Sequence, residues 1–559
     1  MQESIWKRLL THFSNNLTSY LLLFAVAFTL LISFRFPVYF RGDDTKYLTW
    51  ANDNNNPFTS FLPSESIFFG MFRPINNLTW WFLYHLFGLN PLFYQIFITF
   101  MYAVSLIFFF KLVELLFSRP VAFLSVISYF GVFFYLGYII FWFSDLTFVL
   151  EMFFMNLSLY CIIYALKLRG NPVWGVIFFI LASLSKEPSI LIVPCVTLIY
   201  VITQWRDFTV EKRRKSAGVL FILLLICLGE MLFTPFIRGR LGPSSTKGIS
   251  YLTDRLTQRW SFYSSLLLSE LGVSIWISSF YLSMKCLFGN DSNSIIKRFY
   301  SILVLSTVLS LILKPFPSIA LIALYISFLP ILAKRSRVSI AVLWSVVPLS
   351  GIMMSSFMTR TYLTEASFGF AILVGVAFHD IISNIYIALR ELPRKLVWIA
   401  GTVSVVILCL VLVVFASRLR LKLNALELIS ASRQNLREMI DYVSTHFSNK
   451  PVSLLVINYG DMGILPKDDI HPLDDLTKAR RKKAMTSADL RRLLRIAGQN
   501  NISVNGMRWF LRNREAEDGI VLVMNDYENE YLQGLDIERR LIHETERCGE
   551  RKWLYYISK

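Results

Sequence analysis

Apolar residues come in long runs along most of this chain, and the runs have the length a membrane demands. A helix needs about 20 consecutive, mostly apolar residues to cross a hydrocarbon core of about 30 Å. The first run covers about 17–39, behind a polar start that carries Lys7 and Arg8. It is too long for the core of a cleaved leader and reads as a retained span, with its basic flank in the cytoplasm. A polar and aromatic outer loop follows at 40–90. Further runs lie at about 91–113, 120–141 and 146–166, then a shorter pair at 172–185 and 189–204 split by SKEPS. The stretch WRDFTVEKRRK (205–215) reads as a basic cytoplasmic loop, before a span at 217–236 and a second outer loop at about 237–262. Runs at about 263–288, 299–313, 318–333, 338–356, 367–388 and 396–416 bring the expectation to about thirteen spans.

An odd number of spans puts the two ends on opposite sides, the N-terminus in the cytoplasm and the C-terminus outside. The loops at 285–298, 334–337 and 390–395 fall inside on this count, and all three are basic, as short cytoplasmic loops should be. From about 417 the character changes. Residues 433–447 have helical periodicity, PVSLLVINYG reads as a strand, and TSADLRRLLRIAGQN as a helix capped by Thr486 or Ser487. GIVLVMND and KWLYYIS read as further strands. The expected fold is therefore an α-helical polytopic membrane protein over 1–416, with a small extracytoplasmic α/β domain over 417–559.

Composition agrees. Apolar residues make up 55% and charged residues 17%, against about 25% charged in soluble chains, and the mean hydropathy is +0.52. The net charge of +18 belongs to cytoplasmic loops and anionic headgroups rather than to a nucleic-acid partner. Six cysteines without CxxC or Cys/His spacing give neither a disulfide framework nor a zinc site.

Charges at a membrane boundary are costly and usually have a task or a partner. Asp43 and Asp44, in RGDDTKYLTW, follow directly on the first span. They read either as a solvated loop start, with Asp43 paired to Arg41, or as carboxylates that activate a hydroxyl or hold a divalent cation. Arg73, in the aromatic stretch FRPINNLTWW, either snorkels to headgroups or binds a phosphate. Asp145 stands at the outer start of the span at 146–166, where it caps a helix or joins Asp43 around a metal. Lys186 and Glu187 break the shorter pair of runs, paired with each other or lining a cavity. Arg360 and Tyr362, in SSFMTRTYLTEASFGF, fall on the same outer side. Carboxylates and cations thus converge on one face, as expected where a lipid-linked phosphate is held while its bond breaks.

These residues resemble the GT-C glycosyltransferases, and within them the protein O-mannosyltransferase and lipid A aminoarabinose transferase branch. That branch opens its first outer loop with Asp-Glu-x-x-Tyr; here the motif reads Asp43, Asp44 and Tyr47. A basic residue and Pro, then an aromatic pair, are matched by Arg73, Pro74, Trp80 and Trp81. Asp145, the Ser185-Lys186-Glu187 triplet and Arg360 with Tyr362 match further positions. Arg73 replaces the lysine of the aminoarabinose enzymes, and Phe72 stands where they carry an acid, which leaves the sugar open. The resemblance implies transfer of a sugar from a polyprenyl-phosphate donor to an acceptor hydroxyl on the outer face. The acceptor would be a lipid, a glycan or a protein, and the setting a bacterial inner (cytoplasmic) membrane. It implies Asp43 as general base assisted by Asp44, Arg73, Lys186, Arg360 and Tyr362 at the donor phosphate, and Tyr47 and Glu187 in support. The one cofactor it admits is a divalent metal ion (magnesium, manganese or zinc) at Asp43 and Asp145. No Gly-rich nucleotide loop is present. A transporter or flippase of lipid-linked saccharides, an O-antigen-type polymerase or ligase, and a scaffold whose tail binds a partner are the competing readings. The basic run at 478–483 in the tail reads as a solvated surface rather than as an acceptor or headgroup contact.

Overall fold

The computed structural model describes residues 40, 43–62, 67–68, 71–129, 143–168, 170–186, 188–238, 337–354 and 364–391. In the tail it describes 438–443, 445–447, 452–456, 502–506, 519–523, 538–547 and 550–558, with a few isolated positions besides. Apart from Ser278, Tyr281, Leu282, Lys285 and Leu332, the expected spans at 17–39, 263–288, 299–313, 318–333 and 396–416, the second half of the one at 120–141, and the expected helix at 486–500 lie outside the described residues.

The segment expected as the first outer loop is largely helical. Helix α1 (Asp43–Asp53) is followed by a 3-10 turn (Pro57–Phe61), a two-residue hairpin of β1 (Ile67–Phe68) and β2 (Met71–Phe72), and helix α2 (Pro74–Phe87). Then come α3 (Pro91–Leu116) and α4 (Arg119–Ser128), a 3-10 turn (Phe143–Asp145), and α5 (Leu146–Leu168). Helices α6 (Val173–Ser183), α7 (Ser189–Gln204) and α8 (Val210–Arg238) follow, and α9 (Val338–Met354) and α10 (Thr364–Glu391) complete the described helices. Among the described residues three segments are long and apolar enough to cross a membrane: Pro91–Leu116, Leu146–Leu168 and Thr364–Asn384. The chain is an integral membrane protein.

Local chemistry explains the boundaries. Helix α3 starts where the Asn90 side chain accepts a hydrogen bond from the Leu92 N–H and Pro91 occupies the first turn, a position whose N–H has no helical acceptor anyway. Its 26 residues extend about 39 Å. Helix α8 begins at Val210, so most of the basic segment expected as a loop is helical. Glu, Lys and Arg are good helix formers, and the segment merges with the apolar run behind it.

Helices α3 and α6 pack on α5, and α10 packs on both α4 and α9. Close approach is allowed by small residues, as is usual between membrane helices. A Cβ added to Gly369 of α10 would lie 2.6 Å from the Ala341 carbonyl of α9, and one on Gly375 would lie 2.8 Å from the Ser125 nitrogen of α4. Polar links reinforce the bundle: Asn156 of α5 donates to the Ser105 hydroxyl of α3 at 3.1 Å, and Ser158 donates to the Gly175 carbonyl of α6 at 2.7 Å.

The tail contains a five-stranded mixed sheet in the order β4-β3-β5-β7-β6, built from β3 (Val452–Val456), β4 (Ile502–Gly506), β5 (Gly519–Val523), β6 (Glu538–Arg547) and β7 (Glu550–Ser558). Strands β4, β3 and β5 run parallel, while β7 is antiparallel to both β5 and β6. Strands β3, β5 and β7 match the expected ones; β4 and β6 were not expected. Helical residues 438–443 lie against β6. Tyr442 stacks on His543 with ring centroids 4.2 Å apart, and Thr545 donates to Glu438 at 3.2 Å.

Candidate active site

Asp43 and Asp44 open helix α1 rather than a solvated loop. Asp44 is fully buried, and so is Thr45. This removes the solvated reading for Asp44; the side chain of Asp43 lies outside the described residues. Helix α1 is held by Tyr47, Leu48 and Ala51, all buried. Tyr47 stacks flat on Trp80 of α2 at 5.2 Å, and Trp80 meets Tyr94 at the start of α3 at 5.5 Å. Phe40 packs on Tyr94 at 5.0 Å and on Phe143 at 5.1 Å. Offset and edge-on aromatic pairs of this kind add about 0.5–1.5 kcal/mol each beyond the area they bury. The ladder fixes α1 against α2, α3 and the turn that carries Asp145. Asp145 is buried and directly precedes Leu146, the first residue of α5.

Arg73 is the half-buried residue at the N-cap position of α2, just before Pro74. The first turn of α2 is tied to another part of the molecule: the Ile75 N–H donates to the Leu184 carbonyl at 3.4 Å. Leu184 belongs to the turn between α6 and α7, two residues before Lys186. The aromatic stretch forms helix α2, which packs on α1 with Trp80 wholly enclosed.

Lys186 departs from expectation. Its amine reaches beyond its own turn to two acids on other helices. It meets Glu151 of α5 at 3.4 Å and also pairs with Glu365 in the first turn of α10. The amine lies 3.2 Å from the centroid of the Phe148 ring. All three charged side chains are at most 1% exposed. Burying an ion pair costs several kilocalories per mole per charge, which only close partners offset. Two carboxylates and an aromatic face around one ammonium supply them. Glu187, Arg360 and Tyr362 lie outside the described residues; Thr364, two positions beyond Tyr362, is buried at the start of α10.

Contacts join the start of α3, the start of α5, the end of α6 and the start of α10, so these ends share one side of the bundle. Helices α1 and α2 cover that side. The segments bearing Asp43 and Asp44, Arg73, Asp145 and Lys186, read from four separate stretches of sequence, therefore meet there. Glu151 and Glu365 were missed. The signal existed, since each is an acid inside an apolar stretch, FVLEMF and TYLTEASF, and such residues seek a partner. Among the described residues, no three His, Cys, Asp or Glu side chains come close enough together to hold a metal ion.

No protein-family model matches the chain, and no curated protein matches it. Among solved structures, the chain is similar to ArnT from Cupriavidus metallidurans bound to undecaprenyl phosphate. The TM-score is 0.41 and the identity 13%, over 96% of this chain and 98% of that one. The apo state of the same protein gives a TM-score of 0.40 and 12% identity, over 96% and 98% of the two chains.

Proposed function

We propose that the chain transfers a sugar from a polyprenyl-phosphate carrier to an acceptor hydroxyl at the outer surface of the membrane. The observation that carries this reading is the meeting of four charged segments at one end of a helical bundle, under the α1–α2 cover. An amphiphilic donor is suited to such a place, with its chain among apolar helices and its phosphate at the boundary.

In the proposed reaction the Asp43 carboxylate takes the proton of the acceptor hydroxyl. The freed oxygen attacks the anomeric carbon from the face opposite the phosphate, and the bond from that carbon to the phosphate oxygen breaks. Its electron pair leaves with the polyprenyl phosphate, and the new linkage has inverted configuration. Arg73, together with Arg360 and Tyr362, stabilises the charge that develops on the departing phosphate. Asp44 is assigned to orienting Asp43. Lys186, expected at the phosphate, has its amine engaged by Glu151 and Glu365, and its role here is to fix the turn at 184–186 beside α2. Asp43 and Asp145 are oxygen donors of the kind magnesium and manganese prefer. Two carboxylates, completed by waters and the donor phosphate, are the ligand set magnesium usually takes, and an ion held there would supply charge stabilisation at the departing phosphate.

The test is transfer of label from short-chain polyprenyl-phosphate sugars, using purified protein with cell-envelope extract as the source of acceptors. Replacing the base, Asp43→Asn, should lower the rate by about two to four decades. A variant as active as wild type would remove Asp43 from the mechanism. A wild type that transfers no sugar from any donor would sink the reading as a whole.

A further inference from the structure

Asn76 and Asn77 are adjacent on the first turn of α2, three and four residues past Arg73. Their side chains are 0% and 1% exposed, and neither the amide nitrogen nor the carbonyl oxygen of either has a hydrogen-bond partner. The indole nitrogens of Trp80, on the same helix, and Trp50, on α1, are likewise buried and unpaired. Six polar atoms on the α1–α2 pair thus go unsatisfied, although buried polar groups in folded proteins are nearly always bonded. A single such group is a packing defect. A set of them, on the two helices that carry Asp43, Asp44 and Arg73, points to a ligand.

The atoms also define the ligand's chemistry. Each amide offers donors and an acceptor side by side, and each indole adds a donor. A phosphate only accepts and would leave both carbonyl oxygens orphaned; a cation would leave every N–H orphaned. A group of hydroxyls both donates and accepts, and satisfies the whole set. We propose that Asn76 and Asn77, with the Trp50 and Trp80 indoles, bind the hydroxyl groups of a sugar. This deepens the transferase reading and rests on it for the identity of the sugar as a substrate. Both amides lie below the surface, so a sugar reaches them only when the cover over this end of the bundle moves. Their unsatisfied state raises the free energy of the unliganded arrangement, and a ligand that completes the bonds favours the conformation that admits it.

The hydroxyls belong either to the donor's sugar or to the acceptor, and the experiment separates the two. Thermal stability in detergent is measured with farnesyl phosphate and with farnesyl-phosphate hexoses and pentoses, for wild type, Asn76→Leu, Asn77→Leu and the milder Asn76→Ala and Asn77→Ala. This reads binding without turnover, so it stands even if no transfer is found. If the donor sugar is the ligand, wild type binds a sugar-bearing lipid more tightly than farnesyl phosphate. The variants then lose roughly 5- to 100-fold of that preference, as expected for lost buried hydrogen bonds. If the acceptor is the ligand, the lipid preference is intact, and in the transfer assay the variants raise KM for the acceptor by a similar factor. In either case the unliganded variants are at least as thermostable as wild type, because an orphaned amide has been removed. Variants that melt earlier, with both binding and KM unchanged, would show the amides to be structural, and the proposal would be wrong.

Discussion

Lys186 carries its charge to a place where an isolated ammonium would cost several kilocalories per mole, and Glu151 and Glu365 meet it there. The three residues come from the α6–α7 turn, α5 and α10, so one cluster joins three parts of the bundle. Removing the lysine alone strands two buried carboxylates. Lys186→Met should therefore destabilise the protein by about 3–5 kcal/mol, read as a lower melting temperature in detergent. Replacing all three together, with Glu151→Leu and Glu365→Leu added, should recover most of that loss, because an apolar trio of similar volume leaves nothing stranded. A triple variant as unstable as the single one would show that the cluster does more than satisfy its own charges.

The helices were legible where burial is expressed as length. The runs behind α3, α5 and α10 are apolar over whole spans, and their limits agree with the expected ones to within a few residues. Helix α1 was not legible, because DDTKYLTWAND is too polar to stand out as an element. Its packing rests on Tyr47, Leu48 and Ala51, and on a Trp80 that lies 33 positions away from Tyr47 in sequence. Strand β6, ERRLIHETER, was hidden by its charge, which suits its place at the edge of the sheet, where unpaired backbone would otherwise invite aggregation. Strand β4, ISVNG, has only Ile502 and Val504 as strongly apolar residues, and its pairing partner β3 lies far off in sequence. Among the helices, contact through small residues makes its own prediction. Gly369→Val places a branched side chain against the α9 backbone and should cost about 1–3 kcal/mol or more. Thermal unfolding and elution on gel filtration would report it. Gly218, with nothing near its Cβ position, is the control: Gly218→Ala should be neutral or slightly stabilising.

For the molecule as a whole, the charged residues of the candidate site were readable and their partnerships were not. Asp43, Arg73, Asp145 and Lys186 drew notice because charge beside apolar runs is conspicuous. That Lys186 would pair with an acid 179 positions away is information held only by the folded chain. The expected sidedness is open to a direct check: with the N-terminus inside, protease added to intact spheroplasts should remove the tail and its β-sheet while sparing the α3–α10 helices. One hydrogen bond gives the site a kinetic character. Because Ile75 of α2 is bonded to Leu184, α2 cannot swing away from α1 without dragging or releasing the turn that holds Lys186. On the proposed opening, the first molecule to enter would shift the turn that the second must meet. Initial rates measured over a grid of donor and acceptor concentrations should show a compulsory order of addition, and Ile75→Pro, which deletes that N–H, should relax it toward random entry.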